Sequence, residues 1–265
     1  SQSAYTSLQS LISNLYSLFS NHPMSSLLAA FQFLTIFPTL IKRMFTSQEM
    51  GRAVAWFPLV GVALGFLLYG VNTLAQLIFP ASVSAALTVF AWIIFTRAFH
   101  LDGFMDTCDG LFGGFTPERR LEIMKDSRMG AFGTIGGALV LLTEYTALHS
   151  SVNLLSALLL ATTLGRWASP LVIYFFPYAR EEGLGIEMKR NVRLQEVLVA
   201  TLIAGVTSWF AAGGWLGLVL MLSAAIIAFI VAWYAMRLLH GLTGDIYGTV
   251  TTTVEMFILL IFTIS

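Results

Sequence analysis

Charge is segregated along this chain more sharply than any soluble fold would require. Of 14 Lys and Arg, 12 fall in four stretches, 42–52, 100–130, 177–196 and 237–248, and 12 of the 14 Asp and Glu fall in the same four. Between them run apolar segments near 53–79, 82–99, 131–148, 152–176, 197–212, 215–236 and 249–265, joined on the other side by the uncharged turns 80–81, 149–151 and 213–214. About 20 apolar residues cross a bilayer. With only 11% charged residues against about 25% in soluble domains, 57% hydrophobic residues and a mean hydropathy of +0.81, the chain reads as an all-α, polytopic membrane bundle. Seven segments are clear. The segment 24–41 is an eighth candidate, weakened by Gln32 and Pro38 to a half-inserted or re-entrant helix.

The alternation fixes orientation. Lys and Arg stay on the cytoplasmic side of a membrane protein, so all four charged stretches are expected in the cytoplasm, on an inner-membrane protein whose site faces inward. A net charge of zero leaves no basic footprint for nucleic acid. The lone Cys108 excludes a disulfide framework within the chain, and its acidic neighbours do not favour a thiolate. Residues 1–23 read as an amphipathic extension with an apolar stripe at Leu8, Leu11, Ile12, Leu15, Leu18 and Phe19; they lack the basic start and long apolar run of a cleavable signal. Residues 24–265 read as one membrane-embedded catalytic domain.

Within 100–130 the spacing points to chemistry. Asp102, Asp106 and Asp109 stand at i, i+4 and i+7. On a helix they share an arc of about 60° and span about 10 Å. Three carboxylates on one stripe repel unless a cation sits among them, and such oxygen donors suit Mg²⁺ or Mn²⁺ completed by phosphates. Gly103 and Gly110 would let backbone approach a ligand closely. His100 falls about 160° from Asp102 round the helix, away from the stripe, as a supporting residue or a general base for a sugar hydroxyl. Thr116-Pro117 reads as a capped helix start, and Asp126-Ser-Arg128 supplies a fourth acid and a base able to neutralise a transferring phosphoryl group.

Four charges lie inside the apolar segments: Arg97, Glu144, Arg166 and Glu255. Each needs a partner or a cavity. Arg97 is expected either to snorkel or to touch the site. Arg166 is expected either to clamp a phosphate or to pair with Glu144 or Glu255. In the later stretches Arg180 and Asp245, the latter between glycines in a loop, are the candidates for substrate contact.

These residues resemble a known family. His100-Leu-Asp-Gly-x-x-Asp-Thr-x-Asp-Gly110, with Lys125-Asp-Ser-Arg-x-Gly-x-x-Gly133, resembles the cobalamin synthase family, the adenosylcobinamide-GDP ribazoletransferases. The likeness runs over about 24–265 and includes Phe31-Gln-Phe-Leu-Thr35, Phe57-Pro-Leu-Val-Gly61, Arg166-Trp-Ala168, Pro177-Tyr-Ala-Arg-x-x-Gly-Leu-Gly185 and Gly241-Leu-Thr-Gly-Asp245. Ile36 stands where the family usually has arginine, and Thr251-Thr252 where it usually has Asn-Glu. The resemblance implies attack by a hydroxyl of α-ribazole, or of its 5′-phosphate, on the phosphate attached to cobinamide, with loss of GMP and with Mg²⁺ as cofactor. Together with the spacing arguments above, it leaves Asp102, Asp106, Asp109 and Asp126 expected as metal ligands, His100 and Arg128 beside them in catalysis, and Arg97, Lys125, Arg166, Arg180, Asp245, Gly103 and Gly110 expected as substrate contacts. The implied partners are the two substrates and the bilayer, with a homo-oligomer also admitted. Two other readings compete. A CDP-alcohol phosphotransferase needs Asp-Gly-x-x-Ala-Arg, and positions 106 and 107 are Asp and Thr. A transporter places its charges near the bilayer midplane, whereas here they lie in loops.

Overall fold

The computed structural model describes residues 23–37 and 43–264. The amphipathic stripe read in 1–23 and the end of the 24–41 segment lie outside them. All regular structure among the described residues is helical: α1 (Pro23–Leu34), α2 (Ser47–Ala53), α3 (Phe57–Gln76), α4 (Ala81–Thr96), α5 (Phe99–Gly113), α6 (Pro117–Ile123), α7 (Ala131–Ser150), α8 (Leu154–Phe175), α9 (Leu184–Asn191), α10 (Leu194–Ala211), α11 (Trp215–Leu239) and α12 (Gly244–Ile261). Six described stretches are long and apolar enough to cross a membrane: α2 with α3, α7, α8, α10, α11 and α12. The pair α4–α5, bent by 89°, makes a seventh if counted as one broken crossing. Counted so, short uncharged turns and longer or polar connections alternate along the chain.

α8 is the axis of the bundle. Every residue from Ser156 to Ile173 is buried, so this helix meets protein on all sides. Close approach depends on small residues, as expected where lipid supplies no hydrophobic drive between helices. A side chain at Gly61 or Gly65 of α3 would run into the α8 backbone at Thr162 or Leu159, and Thr162 donates its hydroxyl to the Gly61 carbonyl at 2.7 Å. Gly165 similarly admits Glu255 of α12. α11 turns Ala224, Ala228, Ala232 and Ala235 inward and leaves Leu222, Ile226 and Ile230 exposed, the inside-small, outside-large pattern of a lipid-facing helix.

Two expectations are corrected, the extent of the 82–99 segment and the place of Asp245. The apolar segment 82–99 ends at Thr96, because Arg97 and Ala98 both take left-handed conformations (φ 55° and 54°) and turn the chain. The stretch 100–130 is accordingly two helices, α5 and α6, before the loop that leads into α7. Asp245 lies in the first turn of α12, capped by Thr243, rather than in a loop. The 24–41 segment, read as a weak eighth candidate that could be half-inserted or re-entrant, forms the 12-residue α1 within its described part, in line with the shorter reading. The start at Thr116-Pro117 stands as read, with the Thr116 hydroxyl accepting from the Arg119 amide.

Candidate active site

The break at 97–98 positions the site. Irregular backbone at membrane depth survives where protein or a cavity covers it, and here Arg97 donates to the carbonyls of Gln32 and Phe33 at 3.2 and 2.9 Å, tying the end of α1 to the break. Arg97 is therefore a brace, and it does not line the cavity described below. From the break, α5 runs between α7 and α12. Its contact with α12 is close because Gly103 faces the backbone of Asp245 and Gly248 faces that of His100. A hydrogen bond of 2.8 Å from Thr249 to Thr107 pins the crossing.

That crossing brings Asp245 to the α5 aspartates. Asp106, half-buried, lies within Coulombic reach of Asp102, Asp245 and Asp109, and of one cation, Arg180. Arg180 reaches Asp245 at 2.8 Å because its loop is tied to the start of α12: the Leu242 amide donates to Pro177, and the Ala179 amide to Leu242, both at 2.8 Å. Asp102 and Asp245 line a cavity of about 280 Å³ with Arg180, His100, Tyr178, Tyr247 and an apolar wall that includes Phe33, Phe57 and Phe99. His100, expected to face away from the stripe, shares this cavity with Asp102, because the cavity reaches round the first turn of α5. Arg180 and Glu182 also line a second, outer cleft of about 520 Å³ with Lys125, Glu118, Glu122 and Glu181.

Not all four expected ligands converge. Asp109 is buried, and its two oxygens accept the amides of Gly130 and Gly133, each at 2.8 Å. Gly130 caps α7 without a side chain of its own. Asp109 supplies the missing acceptor from the neighbouring helix, and its negative charge complements the positive end of the helix dipole. A side chain at either glycine would collide with this carboxylate, which accounts physically for the Gly-x-x-Gly133 spacing. Asp126 turns to Arg128 at 2.6 Å in the loop before α7, and the hydrogen bonds from Arg128 hold its carboxyl at about 2. Neither lines the cavity. Gly103, expected to admit a ligand, lines the cavity and also lets the Asp245 backbone approach, whereas at Gly110 the Met124 side chain fills the space.

Arg166 takes the ion-pair alternative. It is 1% exposed, donates to Glu255 at 2.6 Å, and sits away from the phosphate-accessible cavities. The reading of the residues missed the tyrosines and the aromatic wall. Tyr178 falls inside the quoted Pro-Tyr-Ala-Arg block, but nothing in local spacing singles out Phe33, Phe99 or Tyr247.

The model of the cobalamin-5-phosphate synthase family matches residues 26–263. The chain belongs to that family. An adenosylcobinamide-GDP ribazoletransferase of Desulfitobacterium hafniense is 36% identical over 245 residues, covering 89% of this chain and 96% of the relative. A protein of the same name from Shewanella amazonensis is 34% identical, with 88% and 93% covered, and one from Pseudomonas syringae pv. syringae is 37% identical, with 87% and 96% covered. No solved structure matches. Membership of the cobalamin-5-phosphate synthases makes this a membrane-embedded transferase of cobalamin biosynthesis.

Proposed function

We propose that the chain transfers the adenosylcobinamide-phosphate moiety of adenosylcobinamide-GDP to α-ribazole or its 5′-phosphate, releasing GMP, with Mg²⁺ as cofactor and with the site on the cytoplasmic face of the inner membrane. The observation that carries this reading is that Arg180 lines both an amphiphilic cavity, with Asp102 and Asp245, and a charged cleft, with Asp106 within Coulombic reach of all three, in a chain whose relatives bear that name. The orientation rests on the positive-inside rule.

The donor set fits a magnesium site completed by substrate. Among the described residues no group of three or more acidic, histidine or cysteine side chains is placed to hold a metal ion. Mg²⁺ is commonly held by one or two carboxylates together with substrate phosphates, and Asp102 and Asp245, which both line the cavity, are the two that would supply them. When bound, the ion would neutralise charge on the diphosphate. Asp109 would support the site from below as the clasp of α7.

The remaining work is positioning, as phosphoryl transfer requires. The acceptor hydroxyl oxygen forms a bond to the phosphorus attached to cobinamide, the bond from that phosphorus to the GMP oxygen breaks, and the hydroxyl proton passes to a base. His100, in the cavity wall, is the base this structure offers. Arg180 spans both cavities and can hold the diphosphate in line for attack. The test is GMP release from adenosylcobinamide-GDP on adding α-ribazole and Mg²⁺ to protein in detergent. Asp102→Asn and Asp106→Asn are expected to abolish release while the protein still purifies as a folded species. Full activity in both variants would remove the carboxylates from the mechanism.

A further inference from the structure

The cavity of about 280 Å³ is small and two-faced. One side carries carboxylates and Arg180. The other is an aromatic recess in which Phe33 meets Phe99 edge-on, with ring centroids 4.9 Å apart, and stacks on Phe57 at 6.1 Å. Two polar groups between these sides are left unused. The Tyr247 hydroxyl and Arg180 Nε are buried without a hydrogen-bond partner among the described residues, and both side chains line the cavity. Tyr247 is only 7% exposed. A buried hydroxyl with no partner costs about 1–3 kcal/mol, and a ligand hydroxyl or phosphate oxygen would meet that need.

We infer that this cavity is the acceptor pocket, holding a nucleoside whose fused aromatic base lies in the Phe33–Phe57–Phe99 recess and whose sugar faces Tyr247, Asp102 and Asp245. The inference rests on the transfer reaction proposed above and deepens it by dividing the two substrates between the two cavities. Size excludes the corrin, which with its amide side chains is several times larger than the space. Polarity excludes the guanine of the donor. Guanine carries N–H donors along its edge, and seating it in the Phe33–Phe57–Phe99 recess, across the cavity from the carboxylates of Asp102, Asp245 and Glu182, would leave them unmatched at a cost of several kcal/mol. An alkyl-substituted benzimidazole carries no such donors. The outer cleft, with Glu118, Glu122, Glu181 and Glu182 as acceptors and Lys125 and Arg180 as cations, suits a guanosine phosphate. Arg180 then touches both substrates where they react.

The experiment uses purified full-length protein in detergent. Binding of α-ribazole and of GMP is measured separately by calorimetry, without donor substrate. Turnover is measured with each substrate varied. Wild type is expected to bind α-ribazole, and GMP is expected not to compete with it. Phe99→Ala and Phe33→Leu are each expected to weaken α-ribazole binding, and to raise its KM, about ten-fold, the loss of one base–aromatic stack. The KM for adenosylcobinamide-GDP should stay unchanged. Tyr247→Phe should raise the α-ribazole KM while the protein elutes as wild type, which separates binding from misfolding. Competition by GMP, a raised donor KM with an unchanged acceptor KM, or no α-ribazole binding would each overturn the assignment. Wild type that binds α-ribazole but releases no GMP would instead defeat the proposed reaction and leave the pocket standing. Normal turnover with unaltered α-ribazole KM in all three variants would defeat the pocket and leave the reaction standing.

Discussion

Replacing Glu255 with Gln removes one charge from the best-buried ion pair in the bundle. Glu255 and Arg166 are 4% and 1% exposed, and the guanidinium keeps only one further hydrogen bond, from Nη1 to the Thr162 carbonyl at 3.1 Å. Arg166 Nε and Nη2 have no partner among the described residues. Breaking a buried pair from one side costs about 3–5 kcal/mol, which is a large part of the ~5–15 kcal/mol that holds a domain folded. Glu144, also buried, lies within Coulombic reach of both members. Glu144 can serve as the countercharge once Glu255 is neutralised, so Glu255→Gln alone is expected to cost about 3 kcal/mol and Glu144→Gln with Glu255→Gln about 5 kcal/mol. Arg166→Met with Glu255→Gln removes both charges and should recover most of the loss, since a buried pair is often no better than an apolar substitute. The assay is unfolding in detergent followed by intrinsic fluorescence, read as a double-mutant cycle. If Glu255→Gln and the Glu144/Glu255 double variant both unfold within about 1 kcal/mol of wild type, Arg166 is not relying on either carboxylate and the reasoning fails.

Gly133→Ala drives a methyl group into the Asp109 carboxylate. It should cost activity and stability together, and Asp109→Asn, which keeps one acceptor oxygen, should lose less stability by the same unfolding assay. Ala98→Gly relaxes one of two successive left-handed residues, a conformation that costs a non-glycine residue about 1 kcal/mol. A stabilisation of that order, without change in KM, is expected; destabilisation would mean that the alanine methyl is needed in the packing of the break.

Charge segregation alone made the bundle legible, because a bilayer allows few other ways to distribute the same residues. The α4–α5 break was not legible. Thr96-Arg97-Ala98-Phe99 contains neither glycine nor proline, and the turn is held by tertiary bonds from Arg97 to the α1 carbonyls. In the candidate site, helical spacing anticipated that Asp102 and Asp106 come within Coulombic reach of each other on α5. Asp109 has the same spacing, and no local signal shows that the α7 amides claim it. The helical start at Asp245 could have been found: Thr243 followed by an acid in the first turn is an N-cap pattern, masked by the flanking glycines. The aromatic recess assembles residues 33, 57 and 99 from three helices, and only the fold brings them together.

The bond from Asp109 to the α7 amides has a consequence for the order in which the site fills. It holds the C-terminal half of α5 in register without any cation, so Asp102 and Asp106 are already placed before substrate arrives. A site preorganised by a charge–amide clasp loses little order when emptied. On the magnesium reading proposed above, the cation would come and go with the diphosphate while this clasp keeps α5 and α7 together.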